Sequence, residues 1–168
     1  MPDKPILDQS ARLAHIALVG EALTRLSPIL EADRAQAVAD LQAENHFVPI
    51  GLEDGPYSLT LSIQEGRLVF DIRRFADRPE TSAAMRTIAL ALGPFRGLIK
   101  DYQMLVDSYI LAVEEGREAR IQAIDMGRRG LHNEGAQLMI TRLAGKVAID
   151  FETARRLFTL VCVLHQRI

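Results

Sequence analysis

Of the 168 residues, one is cysteine and none is tryptophan; aromatic residues make up 5% and the formal net charge is only −2. A single cysteine excludes an internal disulfide framework and any zinc site built from cysteines. The near-neutral balance argues against a general nucleic-acid binder, which would be clearly basic. No apolar run approaches the roughly 18 residues that a membrane span needs. The first ten residues have neither the basic start nor the long apolar core of a secretion signal, so a cytoplasmic location is expected. His15, His46, His132 and His165 are scattered, with no pair at ligand spacing. No metal site is expected. There is no Gly-x-Ser-x-Gly elbow, no Gly-x-Gly-x-x-Gly fingerprint and no P-loop, and no cofactor is implied.

What is present suits one domain, 1–168, that buries roughly 70% of its unfolded surface. Residues 1–10, with Pro2 and Pro5, read as a loose start. Arg12–Val19 is short, apolar and closed by Gly20, which favours a strand. Pro28 opens a helix with Leu30, Ala35, Val38, Ala39 and Leu41 as its apolar side, ending near Asn45–His46. Tyr57, Leu59, Leu61 and Ile63 alternate with polar residues, Glu65-Gly66 turns the chain, and Leu68, Phe70 and Ile72 alternate in return. That is a β-hairpin over 57–73 with one apolar face. A polar loop is expected over 75–85, then a further antiparallel strand over Arg86–Leu92 up to Gly93-Pro94. The remainder is helical: one helix over 95–116, another from Arg117, another over Ala136–Leu143, and a last one from Asp150, its N-cap, to about His165. The expected fold is α+β, a small antiparallel sheet of three to four strands packed against C-terminal helices.

The charge average conceals an asymmetry. Residues 1–85 hold 8 basic and 13 acidic residues, a sum of −5, and residues 86–168 hold 12 and 9, a sum of +3. Seventeen of the twenty cations are arginine, whose planar fork suits carboxylates and phosphates. The densest segment is Ala123-Ile-Asp-Met-Gly-Arg-Arg-Gly-Leu-His-Asn-Glu-Gly135. Each glycine weakens a helix interior by roughly 1 kcal/mol, so three together call for a reason. In one reading the helix breaks near Gly127–His132 and restarts with Asn133 as cap, making an anion pocket beside Arg128 and Arg129. In the other, one helix carries Asp125, Arg128, Arg129 and His132 on one side. The functional reading makes Arg128, Arg129 and Asn133 binders of a phosphate or carboxylate, with His132 or Glu134 moving a proton. The bland reading is that the glycines allow close packing and the arginines bridge acidic neighbours.

Further candidates lie outside this segment. Asp107 falls between Met104 and Leu111 on a second apolar stripe, so partial burial and a cationic partner are expected. Arg155 and Arg156 stand near the start of the last helix, where the dipole disfavours cations; Glu152 can offset one of them, and an anionic ligand is the other explanation. Arg96, in Gly93-Pro94-Phe95-Arg96-Gly97, could join the same pocket. Cys162 lies on the apolar stripe of the last helix and reads as a buried small hydrophobe.

These residues also carry a resemblance. Arg67-Leu-Val-Phe-Asp-Ile-Arg73, Pro94-Phe-Arg96 with Lys100-Asp-Tyr102, Asp107-Ser-Tyr109, the 123–135 segment, and Asp150-Phe with Thr153–His165 resemble the alphaproteobacterial Uncharacterised Protein Family 0262. The resemblance covers about 45–168 and implies a small cytoplasmic bacterial protein, without assigning an activity or catalytic residues. Two functions are therefore weighed. One is a binding or regulatory adaptor whose arginine-rich surface around 125–135 recognises an anionic small molecule or protein partner. The other is a small enzyme on a phosphorylated or carboxylated metabolite, with His132 as acid/base and Asp107 or Glu134 orienting it. Nucleic acid is disfavoured, and a homo-oligomer is left open.

Overall fold

The computed structural model describes residues 9–76 and 84–165. Most of the expected loose start and most of the expected 75–85 loop lie outside the described residues. Strand β1 (Leu13–Val19) leads to helix α1 (Pro28–Ala43), which Pro28 opens, and to the short strand β2 (Phe47–Pro49). The hairpin follows as β3 (Tyr57–Gln64) and β4 (Arg67–Arg74). Its turn residues Glu65 and Gly66 both have positive φ, 52° and 75°, the combination that a two-residue type I′ turn demands. Strand β5 (Ala84–Ala91) pairs antiparallel with β4.

The fold is α+β, as the pattern predicts, with a four-stranded sheet in the order β1-β3-β4-β5. One pairing differs from a purely antiparallel sheet. β1 runs parallel to β3, because α1 and β2 carry the chain back across before β3 begins, which a parallel neighbour requires. The antiparallel register sets Leu59 opposite Ile72, Leu61 opposite Phe70, and Phe70 opposite Ile88. All five of these side chains are buried, each contributing roughly 1.5–3 kcal/mol. Strands β2 and β6 (Val147–Ile149) form a separate antiparallel pair; at three residues each they are too short to show a period.

Three helices complete the body: α2 (Arg96–Glu114), α3 (Glu118–Leu143) and α4 (Phe151–Leu164). Asp150 caps α4, its carboxylate accepting from the Thr153 amide at 2.9 Å. Every residue of α4 from Leu157 to Leu164 is buried, since α4 packs against α1, α2, α3 and β1. Helix α3 runs unbroken from 118 to 143, so the helices expected from Arg117 and over Ala136–Leu143 are one. The glycines do not break it. At Gly135 the reason is contact, because a β-carbon there would overlap the Phe158 ring of α4. Gly130 has open space around it.

On α1 the buried residues are Leu30, Ala37 and Leu41, whereas Ala35 and Ala39 are exposed. The inward face of α1 is thus rotated from the expected one. It brings Asp33 and Asp40, each about one turn from Ala37 on either side, to the seam with α3 and α4.

Candidate functional site

The continuous α3 decides which residues meet. Arg128 points inward and its Nη2 donates to Asp33 Oδ2 at 2.5 Å. The Tyr102 hydroxyl of α2 donates to the same oxygen at 2.5 Å, so one carboxylate of α1 ties together three helices. The Arg128 side chain is 15% exposed and that of Asp33 19%, and the guanidinium lies 6.0 Å from both the Tyr102 and Tyr109 ring centroids. Burial works to lower the Arg128 pKa, but the charge of Asp33 and its hydrogen bond outweigh it and hold the cation firmly. Burial and then the neighbouring carboxylate push the Tyr102 phenol up. Both groups keep their protons at any ordinary pH.

His132, one turn along α3, packs 5.7 Å from the Tyr102 ring and edge-on to Phe158 at 6.3 Å. Its Nε2 is buried and has no hydrogen-bond partner among the described residues. Burial, then the charges of Arg128 and Arg155, lower its pKa to about 4, and Asp33 offsets only part of this. The imidazole is therefore neutral at pH 7.

Beside His132 opens a cleft of about 150 Å³ between α1, α3 and α4, lined by Asp33, Asp40, His132, Arg155, Arg156 and Thr159, with Gln36 and Ala37. Arg156 faces Glu152 at 3.0 Å and Asp40 at 3.4 Å, which shows how a cation persists near the start of α4: two carboxylates offset the dipole. Asp40 also accepts from Gln36 Nε2 at 2.8 Å. Arg155 differs. Both arginines are half-buried and the Nε of each has no hydrogen-bond partner among the described residues, but Arg155 has no carboxylate partner there either.

Arg128, His132, Arg155 and Arg156 thus gather around Asp33, and the other candidates do not. Arg129 and Asn133 are exposed. Glu134 lines a separate groove between α2 and α3, with Gly127, Gly130 and Asp101. Asp107 is exposed rather than partly buried, accepts from Gln103 one turn away at 3.0 Å, and shares a further cleft with Arg96 and Lys100. Its stripe on α2 faces outward: Met104 and Leu111 on either side are 58% and 51% exposed. Cys162 is buried, and burial raises its thiol pKa well above the usual range. Among the described residues no group of three or more His, Cys, Asp or Glu could hold a metal ion, and no helix is long and apolar enough to cross a membrane.

Sequence reading missed Asp33, Asp40 and Tyr102. The signal was present only on α1, where Asp33, Ala37 and Asp40 follow i, i+4, i+7 beside the buried Leu30 and Leu41.

The fold and cleft define a class: a small α+β protein whose helical layer encloses a cluster of arginines and carboxylates around a neutral histidine. The chain belongs to the uncharacterised protein family UPF0262, whose model matches residues 10–167. It is similar to a UPF0262 protein of Granulibacter bethesdensis, 67% identical over 98% of this chain and 96% of the relative. A relative from Acidiphilium cryptum is 59% identical over 93% of each chain, and one from Brucella canis 49% identical over 94% and 96%. No solved structure matches.

Proposed function

We propose that the protein is a small cytoplasmic binding protein, an adaptor rather than a catalyst, that recognises an anionic group in the cleft between α1, α3 and α4. The observation that carries this reading is a group of buried polar atoms at one cavity without a hydrogen-bond partner among the described residues, Arg155 Nε, Arg156 Nε and His132 Nε2; of the two arginines, Arg155 is the one that has no ion pair there. Buried donors are almost always satisfied, and a carboxylate or phosphate oxygen satisfies an arginine best. A cleft of about 150 Å³ takes such a group but not a large ligand. The recognition group shifts from the Arg128–Arg129 pair to Arg155 with His132, because Arg128 is already bound to Asp33. An acid/base role for His132 gains no support, since a group titrating near 4 is neutral at pH 7 and only weakly basic there.

Thermal-shift and calorimetric titration with inorganic phosphate and with acetate test this, comparing wild type with Arg155→Gln. Binding by the wild type, weakened about tenfold or more in the variant by loss of a charged hydrogen bond, is the expected result. Equal titrations for both proteins, or no response to either anion, would overturn it.

A further inference from the structure

The cleft is not uniformly basic, and charges of both signs line it. Asp33 is neutralised by Arg128 behind it. Arg156 is shared by two carboxylates, Asp40 at 3.4 Å and Glu152 at 3.0 Å, so that trio carries one net negative charge. Arg155, on the same wall, has no carboxylate partner among the described residues, and the neutral His132 beside it adds no charge. The cavity is therefore lined both by a cation without a carboxylate partner among the described residues, Arg155, and by Asp40, a carboxylate of a net-negative trio. An inorganic anion satisfies only the first.

Size narrows the ligand further. A cavity of about 150 Å³ accommodates a molecule of about six heavy atoms, and this one measures about 150 Å³. Gln36 and Thr159 also line it, but the Gln36 amide already donates to Asp40 and the Thr159 hydroxyl to the Arg155 carbonyl. The open capacity is thus the Arg155 guanidinium and the His132 nitrogen on the one hand and lone pairs of Asp40 on the other.

We propose that the cleft takes a small zwitterion, of the size and charge pattern of a short α-amino acid, with its carboxylate on Arg155 and His132 and its ammonium on Asp40. This rests on the anion-binding reading and deepens it, by requiring a cationic group within a few bonds of the anion. The two charges discriminate together. A ligand lacking the ammonium leaves Asp40 and Glu152 with an unmatched charge, and one lacking the carboxylate leaves Arg155 as it is.

Three molecules of nearly one shape test this on the full chain by calorimetric titration: L-alanine, L-lactate and propionate, which carry an ammonium, a hydroxyl and a hydrogen at the same carbon. Inorganic phosphate is the fourth probe. The expected order is alanine, then lactate, then propionate, with alanine about tenfold tighter than propionate. Asp40→Asn, which leaves Arg156 its Glu152 partner, removes the alanine advantage while propionate and phosphate bind as before. Should propionate or phosphate bind as tightly as alanine, with both lost in Arg155→Gln, the zwitterion is wrong and the anion site stands. If Arg155→Gln leaves every titration unchanged, or none of the four probes binds the wild type, both readings fall. The wild-type series needs no variant to fold.

Discussion

Two pairs of adjacent arginines, Arg128–Arg129 on α3 and Arg155–Arg156 on α4, look alike in sequence and differ in what surrounds them. Neighbours on a helix point about 100° apart, so each pair divides its duties. In the α3 pair, Arg128 turns in to Asp33 and Arg129 turns out to solvent. In the α4 pair both are half-buried, because α4 is enclosed by three helices and the sheet. Arg156 finds Asp40 and Glu152, and Arg155 is left uncommitted in a cleft. The free cation of one pair is hydrated and cheap to keep. The free cation of the other is partly desolvated, and such a charge has most to gain from a ligand.

The strongest way to break this comparison is to remove the partner of each committed arginine. Asp33→Asn leaves Arg128 buried with only Asp125 at 3.8 Å, and a loss of about 3–4 kcal/mol in urea unfolding is expected. Asp40→Asn costs under about 1 kcal/mol, because Glu152 remains and the pair is more exposed. Equal losses would mean that both pairs are structural in the same sense.

Next comes pH. Unfolded His132 takes up a proton near its ordinary 6.5, and the folded protein resists that proton until about 4. The unfolded state thus binds more protons between these values, so stability is undiminished above pH 6.5 and falls as pH drops toward 4. The expected loss is roughly 2–3 kcal/mol, read from denaturation midpoints across that window. His132→Gln should flatten this part of the profile; an unchanged slope would place the proton uptake elsewhere.

How far the sequence could reveal these differences depends on the range of the interaction. The β3–β4 hairpin is legible because alternation and the Glu65-Gly66 turn are local. The Asp150 cap is equally local, since the carboxylate meets an amide three residues on. By contrast, Asp33 meets Arg128 across 95 positions, and no spacing encodes that. The parallel placement of β1 beside β3 is likewise decided by packing of the intervening α1. On α3 the glycines misled because their role was judged from helix propensity alone. Gly135 answers to the Phe158 ring, which only the α3–α4 contact reveals.

That contrast within one segment can be measured. Gly135→Ala should lose about 2 kcal/mol through overlap with Phe158. Gly130→Ala, in open space, should gain about 1 kcal/mol from helix propensity. Opposite signs from one substitution in one helix would separate the packed side of α3 from its solvated side. Matching signs would show that α3 and α4 can move apart without cost.

The smallest expected effect is at Arg129, and its smallness is informative. Its side chain is exposed and makes no ion pair among the described residues, so truncation removes neither a contact nor a buried charge. Arg129→Ala should change stability by less than about 0.5 kcal/mol and leave phosphate titration where it stood. Arg155→Gln, an equal change in formal charge, should weaken that titration about tenfold. A general electrostatic attraction would respond equally to either charge, apart from salt screening. Only a site that holds the anion against one guanidinium separates the two. If Arg129→Ala weakened phosphate as much as Arg155→Gln, the binding would belong to the field of the arginine-rich half, and the cleft would lose its claim.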